Sequence, residues 1–306
     1  MLIRKFQIAA EIEAEEGTAE TLVAADAFFA FNPVFTPGIE PNKREPVSAN
    51  MSPRASIMGA RQASLSFDVE LVGTATAGLT VEYADALKAC GVGEALVGST
   101  SATYTPASSS VPSVTLGWYL DGKRHLMWGC RGNARIELVA GKPGIIHFEF
   151  TGADFSETDT ALLSGVTYGA TKPPVFMGAT FTVDTYAAVL NNLSLDLGNT
   201  VALRPSIAAS SGFVSAMITN REPVITIDPE NVLVATKDYL GTWRLGTEIA
   251  LSSAHGATAG NIFTITAPKL QYQGITMADR EGIATLEATA LCCVNSGDDE
   301  WQIAIT

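Results

Sequence analysis

Apolar and polar residues alternate along much of this chain. Residues 63–71, ASLSFDVEL, set Leu65, Phe67, Val69 and Leu71 on one side and Ser64, Ser66, Asp68 and Glu70 on the other. A period of two marks a strand with one buried and one wet face. The pattern returns at 145–151, where Ile146, Phe148 and Phe150 alternate with His147 and Glu149. Further strands are expected at 2–14, 27–35, 114–120, 124–130, 134–140, 175–183, 189–197, 261–267, 271–277, 282–292 and 301–305. Asp121-Gly122 and the Gly-Lys-Pro-Gly run at 141–144 read as hairpin turns. Long amphipathic helices are scarce. The best helix is 81–90, VEYADALKAC, stopped by Gly91, with a counterpart at 229–240. Residues 36–56, 99–113 and 198–212 read as loops, and 154–174 as a junction between domains. The expected class is all-β and mostly antiparallel, with two tandem sandwich- or barrel-like domains, each carrying a short flanking helix.

The division into two comes from a repeat. Residues 44–71 shifted by 160 positions land without a gap on 204–231. Arg44 then meets Arg204, Ala49 meets Ala209, Arg61 meets Arg221, Asp68 meets Asp228 and Glu70 meets Glu230. A second segment, 133–151, matches 271–289 at a shift of 138, with Gly144/Gly282, Glu149/Glu287 and Thr151/Thr289 coinciding. Two matches in the same order predict a duplicated domain, 1–160 followed by 161–306.

Composition narrows the function. The 306 residues are 47% hydrophobic and only 17% charged, which fits a folded protein. The net charge of −13 is shared: 12 basic against 19 acidic residues up to Gly165, and 7 against 13 after it. Such a chain does not grip nucleic acid by neutralising phosphates; it repels them. The four cysteines, Cys90, Cys130, Cys292 and Cys293, form no disulfide framework and read as buried reduced thiols, and glutamates from Glu11 onward break any leader-like apolar stretch. No run approaches a membrane span, so folding in the cytoplasm is expected. His125, His147 and His255 stand at no metal-like spacing, and read as satisfied or exposed histidines. Asp298-Asp299-Glu300 lacks the spacing of a calcium loop and reads as a solvated acidic turn. Phosphate-binding, dinucleotide and nucleophile-elbow motifs are absent from the sequence. The sequence reads as a non-enzyme without a cofactor.

Several stretches carry a family likeness: EAEEGT, the Pro-rich segment leading into ARQASLSFDVELVGT, ADALKACG, LDLGN with ITIDPE, and the closing block GNIFTITAPKLQYQGITMADREGIATLEATAL with DDEW. Together they resemble the major tail tube proteins of long-tailed bacteriophages, in a two-domain form. The resemblance implies β-sandwiches that assemble into stacked rings around a lumen for the genome, inside the virion tail, after assembly in the host cytoplasm. Six tube domains would surround the lumen, so two per chain imply homotrimeric rings, and one per chain a homohexamer. Implied partners are further copies of the chain, a tail terminator and the tail-tip and tape-measure proteins. DNA would pass without specific binding, and no membrane is involved. Asp68, Glu70, Glu149, Asp228, Glu230 and Glu287 are the candidate acidic residues of the lumen wall. Pro41, Lys43, Arg44, Pro46, Asn50, Pro53, Arg54, Arg204, Ser210 and Gly212 are the candidates for contacts between rings. The alternatives are another virion β-protein, such as a head decoration or tail terminator subunit, and a carbohydrate-binding or adhesin sandwich. The last would call for clustered aromatics, whereas Trp118, Trp128, Trp243 and Trp301 are scattered.

Overall fold

A computed structural model describes residues 2–47 and 49–306, and it is almost entirely antiparallel β. The first half comprises β1 (Phe6–Ile12), β2 (Ala27–Phe28), β3 (Phe31–Asn42), β4 (Ile57–Glu70), α1 (Ala84–Ala89), β5 (Val92–Val97), β6 (Ser101–Pro106), β7 (Val114–Leu120), β8 (Lys123–Val139), β9 (Ile145–Gly152) and β10 (Asp154–Asp159). The second comprises β11 (Thr180–Val183), β12 (Asn192–Asp196), β13 (Asn199–Pro205), β14 (Phe213–Arg221), β15 (Val224–Ile227), α2 (Tyr239–Leu245), β16 (Ile249–His255), β17 (Phe263–Arg280), β18 (Ile283–Cys292) and β19 (Gln302–Ile305).

The longest strand of each half, β8 in the first and β17 in the second, serves both layers. The first part of β8 pairs with β7 and β10, and its second part with β9 and β12. The first part of β17 pairs with β16 and β19, and its second part with β18. In β8 the change of layer falls at Gly129, whose φ of 63° no β-carbon tolerates cheaply and whose amide is taken by the buried Glu13 carboxylate at 2.6 Å. One inner sheet results, in the order β3-β4-β9-β8-β12-β15-β18-β17, crossing from the first half to the second at the β8–β12 seam. Beneath it lies one apolar core containing Phe67, Phe148, Ile136, Leu195, Ile227 and Phe263.

Registers in the two halves correspond. Val34↔Ser66, Ile39↔Arg61 and Asn42↔Ile57, moved by 160, become Ser194↔Thr226, Asn199↔Arg221 and Ala202↔Met217, each a pair in the structure. The second repeat is slipped by two residues against the first. Ser66 faces Glu149 while Thr226 faces Thr289, a shift of 140 instead of 138. A slip of two keeps every side chain on its own face, so the alternation could not reveal it.

Several expected boundaries change. The stretch 27–35 is two strands, and the first third of the expected loop 36–56 is strand: β3 runs through Pro33, Pro37 and Pro41 to Asn42, leaving residues 43–56 as the loop, of which Ser48 lies outside the described residues. Proline is tolerated there because β3 is an edge, paired with β4 alone among the described residues. Residues 198–212 likewise form β13 and the turn into β14. Within 99–113, Ala102, Tyr104 and Pro106 alternate inward and make β6, and the start of the junction is β10. The pairs of strands expected at 124–140 and 261–277 are single strands whose buried side changes between layers. The second helix lies later than expected. Asp238 accepts its first-turn amide from Gly241 at 2.7 Å, and Gly246, with φ of 63°, ends it, as Gly91 with φ of 75° follows α1. His255 is neither exposed nor satisfied. It is packed between Phe176 and Phe263, its ring nitrogens are without hydrogen-bond partners among the described residues, and burial lowers its pKa to about 4.

Candidate functional site: a polar wall between two open sheet edges

The inner sheet buries one face and presents the other. On β4, β9 and β8 the outward set is Ser64, Ser66, Asp68, Thr151, Glu149, His147, Asn133, Arg135 and Glu137, and it continues on β12, β15 and β18 with Asp196, Thr226, Thr289 and Glu287, with Ser194 on the same side but buried. The wall is rich in hydroxyls and net acidic. A shallow depression of about 460 Å³ lies over its first half, lined by Asn32, Asp68, Arg135, His147, Glu149 and Asp196 among others.

The carboxylates foreseen from sequence differ in their surroundings. Asp68 accepts from Asn32 Nδ2 at 2.8 Å and contacts His147 Nδ1 at 2.7 Å, while His147 Nε2 reaches Glu137 at 3.3 Å. Glu149 and Glu287 are exposed on the same wall. Asp228 accepts from the backbone amides of Asn191 and Asn192 at 2.8 and 2.6 Å and pairs with Arg280 at 3.0 Å, so its charge is largely spent on the fold. Glu70 and Glu230 stand apart: Glu70 lines a separate cavity of about 420 Å³ beside Phe28 and Tyr83, and Glu230 bridges to Thr285. Arg135, Glu137 and Asp196 are charged wall residues that sequence reading did not single out, and His147, foreseen on a wet strand face, joins them. Their strands were foreseen, and the period of two would have placed them on the same face as Asp68 once the pairing was known.

The candidate contact residues also separate into two groups. Arg204, Ser210 and Gly212 belong to the β13–β14 hairpin, which is docked on the first half of its own chain. Arg204 reaches Glu16 at 3.1 Å, the Ser211 carbonyl accepts from the Arg61 amide at 2.9 Å, and Gly212 abuts Ala60. The anchor beneath is Arg131, nine-tenths buried, which donates to Glu16 at 2.7 Å and to the carbonyls of Ala216 and Val111. Burial opposes ionisation of Glu16, but hydrogen bonds from Arg131 and Ser215 outweigh it and hold the carboxyl below its usual range. By contrast Pro41, Lys43, Arg44, Pro46, Asn50, Pro53 and Arg54 lie on the exposed end of the β3–β4 arm.

Arginines matched by the repeat do matched work. Arg61 binds Asp154, at the start of the last strand of its half, at 2.6 and 2.9 Å. Arg221 binds Asp298 and Glu300, just before the last strand of the other, at 3.1 and 2.8 Å. Asp299 is a turn residue, its carboxylate held down to about 2 by the amides of Ser296, Asn295 and Gly297.

Among the described residues, two edges of the inner sheet remain open. One is β3; the other is the 271–280 part of β17, beyond its pairing with β16. Both carry exposed apolar residues, Val34 at 57% and Met277 at 70%. Open apolar edges of this length call for a partner strand. An all-β sandwich with a polar wall and two edges fit for pairing is the architecture of a self-assembling shell or tube. A sequence model of the phage tail tube protein family matches residues 4–290, and the chain belongs to that family: it is a structural protein of the virion tail that assembles with itself into a tube. A search of curated proteins returned no match. No helix among the described residues is long and apolar enough to cross a membrane.

Proposed function

We propose that three copies of this chain close a ring, that rings stack into the tail tube, and that the polar wall lines the lumen through which DNA passes. In this reading residues 1–160 and 161–306 are two tube domains, each lending four strands to the inner sheet. The observation that carries it is the β8–β12 seam, where Ser194 faces Glu137 and Asp196 faces Arg135. There the second strand layer of one half receives the first inner strand of the next. The β17 edge of one chain and the β3 edge of another stand in the same relation, so the seam repeats around the ring. Three chains of eight inner strands give 24. At ~4.8 Å per strand and a tilt near ~40° this closes at a backbone diameter of about 48 Å, leaving roughly 30 Å for a duplex.

The wall suits passage of DNA. Its exposed carboxylates repel phosphates, and its hydroxyls hydrate the surface without fixing the duplex. The ring seam is weaker than the internal one, because the Leu197 amide donates to Ala134 O at 3.0 Å whereas its counterpart under the shift of 160 is Pro37, which has no N–H. A weakened edge keeps free chains from pairing at random before assembly begins.

Electron microscopy of the purified protein tests the reading. Hollow rings or tubes with a lumen wide enough for a duplex are expected; monodisperse single chains under every assembly condition would contradict it. Reversing charge at Glu149 and Glu287 together to lysine should leave tubes intact and slow DNA release from particles.

A further inference from the structure

The chain contains its own template for how one domain grips the next. The β13–β14 hairpin reaches out of the second half and lies over the first. Asn199 Nδ2 donates to the carbonyl of Cys90 at the end of α1, at 2.6 Å, and to that of Gly132, at 3.1 Å. Ile218 covers Gly91, where an added β-carbon would stand 3.2 Å from its Cδ1. The hairpin's tip closes on Ala60 and Arg61, at the base of the β3–β4 arm.

The β3–β4 arm has the same register under the shift of 160, and therefore the same reach, but its outer part is exposed: Ile39 is bare, and Met58 borders a shallow cleft beside the β13–β14 turn. Ile39 stands where Asn199 stands, and Met58 where Ile218 stands. The corresponding receiving surface, the end of α2 at Leu245 and Gly246 beside β17, is open: Leu245 is 76% exposed and Trp243 is partly exposed. Where the internal copy joins an amide to a carbonyl, both sides here are apolar, Ile39 on the arm and Leu245 on the helix end. Apolar surface on both members matches them to each other.

We propose that the β3–β4 arm of each chain docks across the second half of its neighbour in the same ring, with Ile39 and Met58 over the C-terminal end of α2. The tip of the arm then closes on Asn220 and Arg221 of the neighbour, as Ser211 and Gly212 close on Ala60 and Arg61 within the chain. Six hairpins, three internal and three exchanged, make a continuous belt. The inference rests on the ring reading, which fixes the neighbour as a second copy of this chain, and it adds that the arm runs sideways within a ring and not down to the next.

The test is a double variant, Ile39→Cys with Leu245→Cys, assembled and treated with a short bis-maleimide, with each single variant as a control for reaction at the native Cys293. Covalent products that stop at three chains are expected. Assembled tubes that yield only single chains, or a ladder running past three, would overturn the arm placement while leaving the tube intact. Wild-type protein that never forms rings would instead overturn the ring reading and this inference with it. Ile39→Asp offers an independent check: the unfolding midpoint should stay in place while the concentration needed for assembly rises at least tenfold. An unchanged assembly threshold would count against the docked arm.

Discussion

One hairpin of this molecule, β13–β14, lies across the first half, tied by Arg131, Glu16, Asn199 and the Ser211 carbonyl. The other, β3–β4, has matching registers at Ile39↔Arg61 and Asn42↔Ile57, and runs out into solvent with Val47, Met51 and Met58 bare. Equal geometry in unequal surroundings teaches that a hairpin's fate here is set by what lies beside it. The docked copy has a polar, ion-paired bed; the bare copy has an apolar underside that is costly to leave in water.

The sharpest way to break this contrast is at the anchor. Arg131→Met removes one of the donors to Glu16 and the side-chain donor to the buried Ala216 carbonyl and the half-buried Val111 carbonyl, and should cost about 3 kcal/mol in denaturant unfolding. Gln271, which the registers place at the equivalent point of the second half, donates to the Gly246 carbonyl at 3.0 Å and accepts from the exposed Gln273 at 3.3 Å, and Gln271→Met should cost about 1 kcal/mol or less. Equal costs would mean that the two beds do not differ.

A pH series separates the halves next. The folded pKa of His255 lies below its unfolded value, so the unfolded chain binds more protons between the two, and stability falls with pH across that window. From pH 6.5 to 4 the loss should be about 3 kcal/mol by calorimetry, and His255→Leu should remove most of it. Glu16 acts lower. Its depressed pKa means that hairpin docking is intact above the ordinary carboxylate range and loosens as pH falls through the folded value. Hydrogen exchange at β14 should quicken there before exchange in β9 does.

Smaller effects sharpen the comparison. Arg221 and Glu300 are both largely buried, whereas Arg61 is well exposed, so Arg221→Gln should cost about 2 kcal/mol and Arg61→Gln under about 1. Ile218→Ala, at a half-buried contact, should cost about 1.5 kcal/mol. Met58→Ala should change chain stability by less than about 0.5 kcal/mol and act on assembly instead.

Much of this was legible in the sequence. The alternation at 63–71 and 145–151 gave strands with the expected inward sets, Asp121-Gly122 gave its turn, and the gapless shift of 160 is matched pair by pair in the registers. What was illegible has physical causes. Prolines at 37 and 41 read as loop because sequence does not tell an edge strand from a central one. The length of β8 and β17 was hidden because a strand that changes layers changes which side is buried, which resets the pattern midway. Asp228 looked like Asp68 by position, yet its partners come from residues 36 or more away along the chain, and no local pattern carries that.

The most direct test of the account is cryo-electron microscopy of assembled tubes, with symmetry determined from end-on averages. Threefold rings are expected, with an inner wall that alternates two kinds of domain, 24 strands in all, and β3 of each chain against β17 of the next. Six identical lobes, one chain to each, would contradict the pairing of two tube domains in one chain on which the rest depends.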